Sequence, residues 1–94
     1  MRPACTATLS IDQPGVRATR FDFVPGAETG WHVHGADYVI VAVTDCDMLI
    51  EEPGGGTRQV LVPAGTAYAR SAGVEHNVVN AGAAPMCFVE VERL

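Results

Sequence analysis

The sequence contains no lysine among its 94 residues, and its only serines are Ser10 and Ser71. Without lysine the chain can form neither a Schiff base nor a Walker-type phosphate loop, because both need a lysine amine. Neither serine lies in the G-x-S-x-G turn that presents the nucleophile of many hydrolases. These absences argue against three common kinds of enzyme.

Positive charge and long apolar runs are also scarce. Six arginines are scattered against eleven acidic residues, and the net charge is −5. Nucleic-acid-binding proteins usually carry a basic patch or stripe, so neither a nucleic acid nor an anionic membrane is expected as a partner. No segment approaches the ~20 apolar residues of a membrane span, and residues 1–15 lack the apolar stretch of a secretory signal. We therefore expect a cytoplasmic protein.

The three cysteines are an odd number and include no C-x-x-C pair. They predict neither a disulfide framework nor a zinc ribbon, which fits a reducing compartment. Cys46 lies in a predicted hairpin, "TDCD", where an exposed thiol is expected. Cys87 lies in an apolar segment, where a core position is expected.

Strand patterns dominate the rest of the chain, and no window has the apolar periodicity of a helix. Strands are predicted at 6–11, 16–24, 30–34, 37–43, 47–52, 57–62, 67–71, 76–80 and 86–93, separated by glycine- and proline-containing turns. This number of short strands predicts an all-β fold, with a single domain over residues 1–94 that forms a small jelly-roll β-barrel. The run "YVIVAV" is apolar at every position, which is typical of a strand covered on both faces.

Three histidines are the best candidates for a functional site. His32 and His34 are two residues apart in a predicted strand, so both side chains project from one face, with Cα atoms ~6.5 Å apart. His76 follows a glycine turn 42 residues after His34. Strands distant in sequence face each other inside a barrel, so His76 is placed to supply a third ligand. On spacing alone, a metal site and ordinary structural histidines both stay open.

Two segments resemble the paired motifs of the cupin family. "Gly26-x5-His32-x-His34" resembles the start of the first motif, which covers about 26–45. "Pro63-Ala-Gly65" followed by "Ser71-Ala-Gly73-Val-Glu-His76-x3-Asn80" resembles the second motif, which covers about 63–80. The resemblance extends over roughly residues 20–92. "GVEHNVVNAG" and the terminal "FVEVE" are similar to small bacterial cupins associated with β-alanine degradation.

The resemblance implies a jelly-roll barrel in which His32, His34 and His76 bind one divalent transition metal ion: Fe, Mn, Ni or Zn. Short members of the family often form homodimers, so a homodimer is expected. Tyr38 stands where the family usually has a glutamate ligand, and Asp37 precedes it with the opposite strand parity. Three alternatives remain for Tyr38: a phenolate ligand, a catalytic donor to bound substrate or oxygen, or a packing residue.

Three neutral imidazoles leave the charge of a divalent ion uncompensated, which favours a small carboxylate-type ligand. Tyr68 and Arg70 share one face of a predicted strand and are the candidates for binding it; for Arg70 a structural ion pair is the alternative. The expected activity is that of a dioxygenase-like or isomerase-like enzyme. A non-catalytic metabolite-binding module with a structural metal is the other reading.

Overall fold

A computed structural model describes residues 1–94, and nine strands make up most of the chain. They are β1 (Thr6–Gln13), β2 (Val16–Phe23), β3 (His32–Val33), β4 (Asp37–Ala42), β5 (Cys46–Glu51), β6 (Thr57–Val62), β7 (Ala67–Arg70), β8 (Glu75–Asn80) and β9 (Met86–Arg93). A 3-10 turn at Pro53–Gly55 connects β5 to β6. The all-β prediction is confirmed, since each predicted strand segment overlaps one of the nine strands and turn residues separate them.

The strands form two antiparallel sheets. One has five strands in the order β1-β2-β9-β4-β7, and the other has four in the order β3-β8-β5-β6. Twelve buried residues form the core between them, including Phe23, Met48 and Phe88. This is the jelly-roll arrangement that the sequence predicts. The last strand of each sheet, β7 in one and β6 in the other, has a single strand partner.

Strict alternation on β5 corrects the prediction for Cys46. Cys46, Met48 and Ile50 all point into the core, and Cys46 is only 3% exposed. The expectation of an exposed thiol was wrong, because Cys46 is the first residue of β5 rather than part of the turn before it. Burial raises the pKa of its thiol. Cys87 is buried on β9, as predicted.

The apolar run on β4 is covered on one face only. Tyr38, Ile40 and Ala42 point into the core and are buried, whereas Val39 and Val43 on the opposite face are 37% and 47% exposed. A strand that is apolar on both faces is usually covered on both. Within one chain, no element lies over the outer face of β4. No helix in the structure has the length and apolar character needed to cross a membrane.

Candidate metal centre

The pairing of β3 with β8 places two of the three histidines side by side. His32 lies directly opposite His76 in this antiparallel ladder. The strand is shorter than predicted and ends at Val33, but the chain continues in a similar direction, and the carbonyl of His34 accepts the N–H of Gly73 at 2.8 Å. Val33 is 61% exposed while His34 is 8% exposed. The two-residue spacing therefore still directs both imidazoles to the inside.

The three imidazoles converge through their Nε2 atoms. The Nε2 of His34 lies 3.0 Å from that of His32 and 3.1 Å from that of His76. Two nitrogens that each lie about 2.1 Å from one ion, at right angles to each other, are about 3.0 Å apart. The side chains form a group whose candidate ligand atoms lie within 4.8 Å of one another. This donor set and spacing fit a divalent transition metal ion.

The outer nitrogens of two imidazoles have oxygen neighbours that orient them. The Nδ1 of His32 lies 2.8 Å from the carbonyl oxygen of Gly30. A carbonyl can only accept, so Nδ1 carries the proton and the lone pair of His32 is on Nε2, facing the other rings. The Nδ1 of His34 lies 3.5 Å from a carboxylate oxygen of Glu90. Contacts of this kind hold metal-binding histidines in the orientation and tautomer that the metal needs.

Two of the histidines are held neutral by their surroundings. Burial, followed by the charge of His32, lowers the pKa of both His34 and His76 to about 4. The positive charge of Arg70 adds to both shifts, and Arg58 adds to that of His76. Neutral imidazoles are the form that binds metal, so at pH 7 both rings are ready to act as ligands.

Glu90 is the residue of this site that the sequence did not reveal. It projects inward from β9, its side chain is only 12% exposed, and burial followed by the nearby Glu92 raises its pKa to about 7. Strand alternation could have indicated its inward position, because Glu90 and Glu92 lie on the same face of β9 as the buried Phe88. The expectation of imidazoles without any acidic group nearby therefore needs correction: a carboxyl group lies beside His34.

Tyr38 lies flat against the imidazole of His34. The ring centroids are 3.8 Å apart and the planes differ by 15°. An imidazole binds metal with a lone pair in the plane of its ring, so the stacked phenol lies to one side of that plane rather than along it. Burial raises the pKa of Tyr38 to about 12, which keeps the phenol neutral at pH 7. This geometry favours a packing residue that orients His34; a catalytic role for the hydroxyl stays a prediction.

Two substitutions at Tyr38 separate the ring from its hydroxyl. Tyr38→Phe keeps the stack, so we expect the affinity for zinc to change by less than about threefold. Tyr38→Ala removes the stack and should lower the affinity about tenfold or more, which is the usual scale for residues that orient a ligand. Competition with a chromogenic chelator measures both. An equal loss in the two variants would show that the oxygen, not the ring, supports the metal.

The histidines line a pocket of about 320 Å³ between the sheets. Small-molecule sites start at about this size. Tyr38, Tyr68 and Glu90 also line it, whereas Arg70 does not and lies in an adjoining cleft. Asp37 points outward, where its carboxylate accepts from the N–H of Ala72 and from Arg93, so it does not take the place of the missing glutamate ligand.

Three residues near the histidines in sequence, Trp31, Glu75 and Asn80, have structural contacts. Trp31 is 51% exposed and its indole donates to Glu75 at 2.8 Å, and both lie outside the pocket. The buried amide of Asn80 donates to the carbonyls of Phe23 and Ala84. Asn80 therefore supports the turn before β9 and has no contact with the histidines.

Sequence and structure comparisons identify relatives of the chain. A family profile described as "Cupin domain" matches residues 19–92. The beta-alanine degradation protein BauB of Pseudomonas aeruginosa is 52% identical over 91 residues, covering 97% of this chain and 95% of BauB. A crystal structure of a cupin domain from Bordetella pertussis has a TM-score of 0.95 at 41% identity, covering 100% of this chain and 97% of that one.

A more distant solved structure has the same fold. Oxalate oxidase in complex with the substrate analogue glycolate has a TM-score of 0.76 at 20% identity, covering 99% of this chain and 52% of the oxidase. At this identity the likeness concerns the fold alone.

Proposed function

The chain belongs to the cupin family, and from this premise we propose that it is a metal-dependent enzyme acting on a small organic acid. His32, His34 and His76 hold one divalent transition metal ion in this proposal. The observation that carries it is that, inside a pocket, the Nε2 of His34 lies 3.0 Å from that of His32 and 3.1 Å from that of His76. Where these nitrogens are unprotonated, their lone pairs repel at such distances, and a cation between them would remove the repulsion.

The form of the pocket supports a small substrate. Its volume of about 320 Å³ leaves room for a metabolite of a few carbon atoms beside an ion. Tyr68 offers a hydroxyl inside it, and the charge of Arg70 lies close behind. BauB is named for the degradation of β-alanine, a three-carbon acid, and its 52% identity supports an acid of similar size here.

The residues around the ion have separate roles in this proposal. Fe, Mn or Ni would supply oxygen chemistry, and Zn would supply Lewis-acid chemistry. Glu90 has a pKa of about 7, so it can hold or release a proton near neutral pH beside the substrate. Tyr38 orients His34 and, in the catalytic version of its role, donates a hydrogen bond to the substrate from its neutral hydroxyl. Tyr68 and Arg70 bind the carboxylate.

Turnover distinguishes this enzyme from a binding module. Protein loaded separately with Fe(II), Mn(II), Ni(II) or Zn(II) is incubated with three-carbon acids such as malonate and 3-hydroxypropanoate, while oxygen uptake and product formation are followed. Turnover that is lost in His76→Ala supports the enzyme. Thermal stabilisation by an acid without any product supports a non-catalytic metabolite-binding module instead, and this result would contradict the proposal.

We also propose that two copies of the chain associate through the outer face of the five-stranded sheet. An apolar row crosses all five strands in register on this face: Ile11, Ala18, Val91, Val39 and Ala69. Val39 and Ile11 are 37% and 43% exposed in one chain. A second copy placed across this row would cover the outer face of β4, whose sequence is that of a strand buried on both sides.

A charge in this row should prevent association. For Val39→Asp we expect a monomer in sedimentation equilibrium, because the pair would bury two unpaired carboxylates near its two-fold axis. Leu61→Asp is the matched control, since Leu61 is 69% exposed on the four-stranded sheet, and it should leave a dimer. A wild-type protein that sediments as a monomer would refute the proposed dimer.

A further inference from the structure

Arg70 differs from the other five arginines in having no acidic partner. Each of the others has a side-chain nitrogen within 4.0 Å of a carboxylate oxygen: Arg2, Arg17, Arg20, Arg58 and Arg93. Arg70 is half-buried and makes no side-chain hydrogen bond or ion pair. The chain has eleven acidic residues and a net charge of −5, so a shortage of acidic residues does not explain why Arg70 is unpaired. The structural ion pair considered for Arg70 is therefore absent.

A second arginine lies on the other side of the same cleft. Arg70 and Arg58 line a cavity of about 130 Å³ together with Ile50, Val60, Tyr68 and His76. Arg58 shares the inward face of β6 with Val60 and the buried Val62, and Arg70 shares the inward face of β7 with Tyr68. Arg58 has one exposed partner, a carboxylate oxygen of Glu52 at 3.4 Å. No carboxylate lines the cleft itself.

The cleft is a second cavity, distinct from the histidine pocket. Four of its six lining residues come from β6 and β7, each of which is an edge strand of its sheet. Its inner end adjoins the histidine pocket, because Tyr68 and His76 line both cavities. Two cations that face one cavity without an acid repel each other, and a bound anion would relieve that repulsion.

We propose that Arg58 and Arg70 form an anion-binding site in this side cleft and that its ligand is the carboxylate of a small organic acid. Guanidinium groups bind carboxylates through paired N–H donors, which a planar two-oxygen anion matches. A cavity of about 130 Å³ is the space of roughly four water molecules, enough for a carboxylate and a short carbon chain. The site stands on this geometry; only the identity of the anion as an organic acid rests on the proposed function.

Titration calorimetry with malonate, at constant ionic strength, tests the site. The full chain is titrated both as purified and after dialysis against a chelator. We expect malonate to bind both preparations with the same affinity to within about threefold, because the arginines and not a metal hold it. Arg70→Gln should weaken binding at least about tenfold and Arg58→Gln by a smaller factor. Arg20→Gln, which removes an arginine paired with Asp22 on the five-stranded sheet, should leave binding unchanged.

The same titrations distinguish failure of the arginine site from failure of the metal-dependent function. Malonate binding that disappears with the chelator and persists in Arg70→Gln would place the anion at the histidines and overturn the arginine site. Inorganic phosphate binding at least as tightly as malonate would overturn the organic acid as its ligand. A chain that binds malonate through Arg70 but takes up none of Fe(II), Mn(II), Ni(II) or Zn(II) would leave the anion site standing and remove the metal-dependent function.

Discussion

Replacing His76 by glutamine should lower the affinity for Zn(II) by at least about a hundredfold. Zinc sites with four protein ligands bind with roughly 10–16 kcal/mol, or about 3 kcal/mol per ligand, and a loss of that size is about a hundredfold in affinity. His76 supplies one of only three imidazoles, and its Nε2 lies 3.1 Å from that of His34. Competition against a chelator of known affinity measures the change.

A neighbouring substitution controls for nonspecific effects on β8. Glu75→Gln changes the residue just before His76. The exposed carboxylate of Glu75 accepts a hydrogen bond from Trp31 at 2.8 Å and does not face the pocket, so this variant should keep the zinc affinity within about threefold of wild type. The variants should also be compared without metal, where both must unfold cooperatively. Equal zinc affinity in wild type and folded His76→Gln would mean that the three histidines do not act as one site.

Replacing Glu90 by glutamine should have two effects of opposite sign. The metal affinity should fall by about 10–100-fold. An acidic group beside a metal-binding imidazole makes that imidazole a stronger ligand, and the substitution removes this group. Its carboxylate lies 3.5 Å from the Nδ1 of His34. Glu92→Gln changes the next inward residue of the same strand, which pairs with Arg17 and has no hydrogen bond or ion pair to a histidine, and should alter the affinity by less than about threefold.

The metal-free stability of the same variant should depend on pH. Burial raises the pKa of Glu90 from 4.5 to about 7, so between these values the folded chain holds a proton that the unfolded chain releases. The free energy of unfolding of the wild type therefore decreases as the pH rises from 4.5 to about 7, because the stabilisation from protonated Glu90 is lost. Glutamine does not titrate, so the free energy of unfolding of Glu90→Gln should rise relative to that of the wild type as the pH increases through this range.

Thermal unfolding of chelator-treated protein at about pH 5 and about pH 8 measures this gain. We expect the melting temperature of Glu90→Gln, relative to wild type, to be higher at the upper pH by about 4 °C or more, the shift that roughly 1 kcal/mol makes in a domain of this size. A difference that does not change with pH would show that Glu90 has an ordinary pKa, and would remove its proposed role in proton transfer.

The positions of the strands along the chain and the inward direction of the histidines were predictable from local rules. Alternation or a continuous apolar run marks most of the strands, and the spacing of His32 and His34 places both on one face even though β3 is short. Cys46 was misplaced because a turn rich in acids outweighed the alternation with Met48 and Ile50. The same alternation, read from the first residue of β5, would have placed it in the core.

The surroundings of the histidines depend on contacts between distant strands. Glu90 contacts His34 from the last strand. An acidic residue in an alternating segment is normally assigned to the exposed face of the strand, and only the packing of β9 shows that this face points inward. The stack of Tyr38 on His34 depends on how two strands pack, which residue spacing does not record. The lack of an acidic partner for Arg70 likewise becomes visible only when every nearby carboxylate has a position.

Elemental analysis of protein purified without a chelator and without a nickel column tests the metal centre most directly. We expect about one divalent transition metal ion per chain in the wild type, the same in Glu75→Gln, and loss of the ion in His76→Gln and His34→Ala. Wild-type protein that contains no metal and takes up none of Fe(II), Mn(II), Ni(II) or Zn(II) on incubation would contradict this expectation.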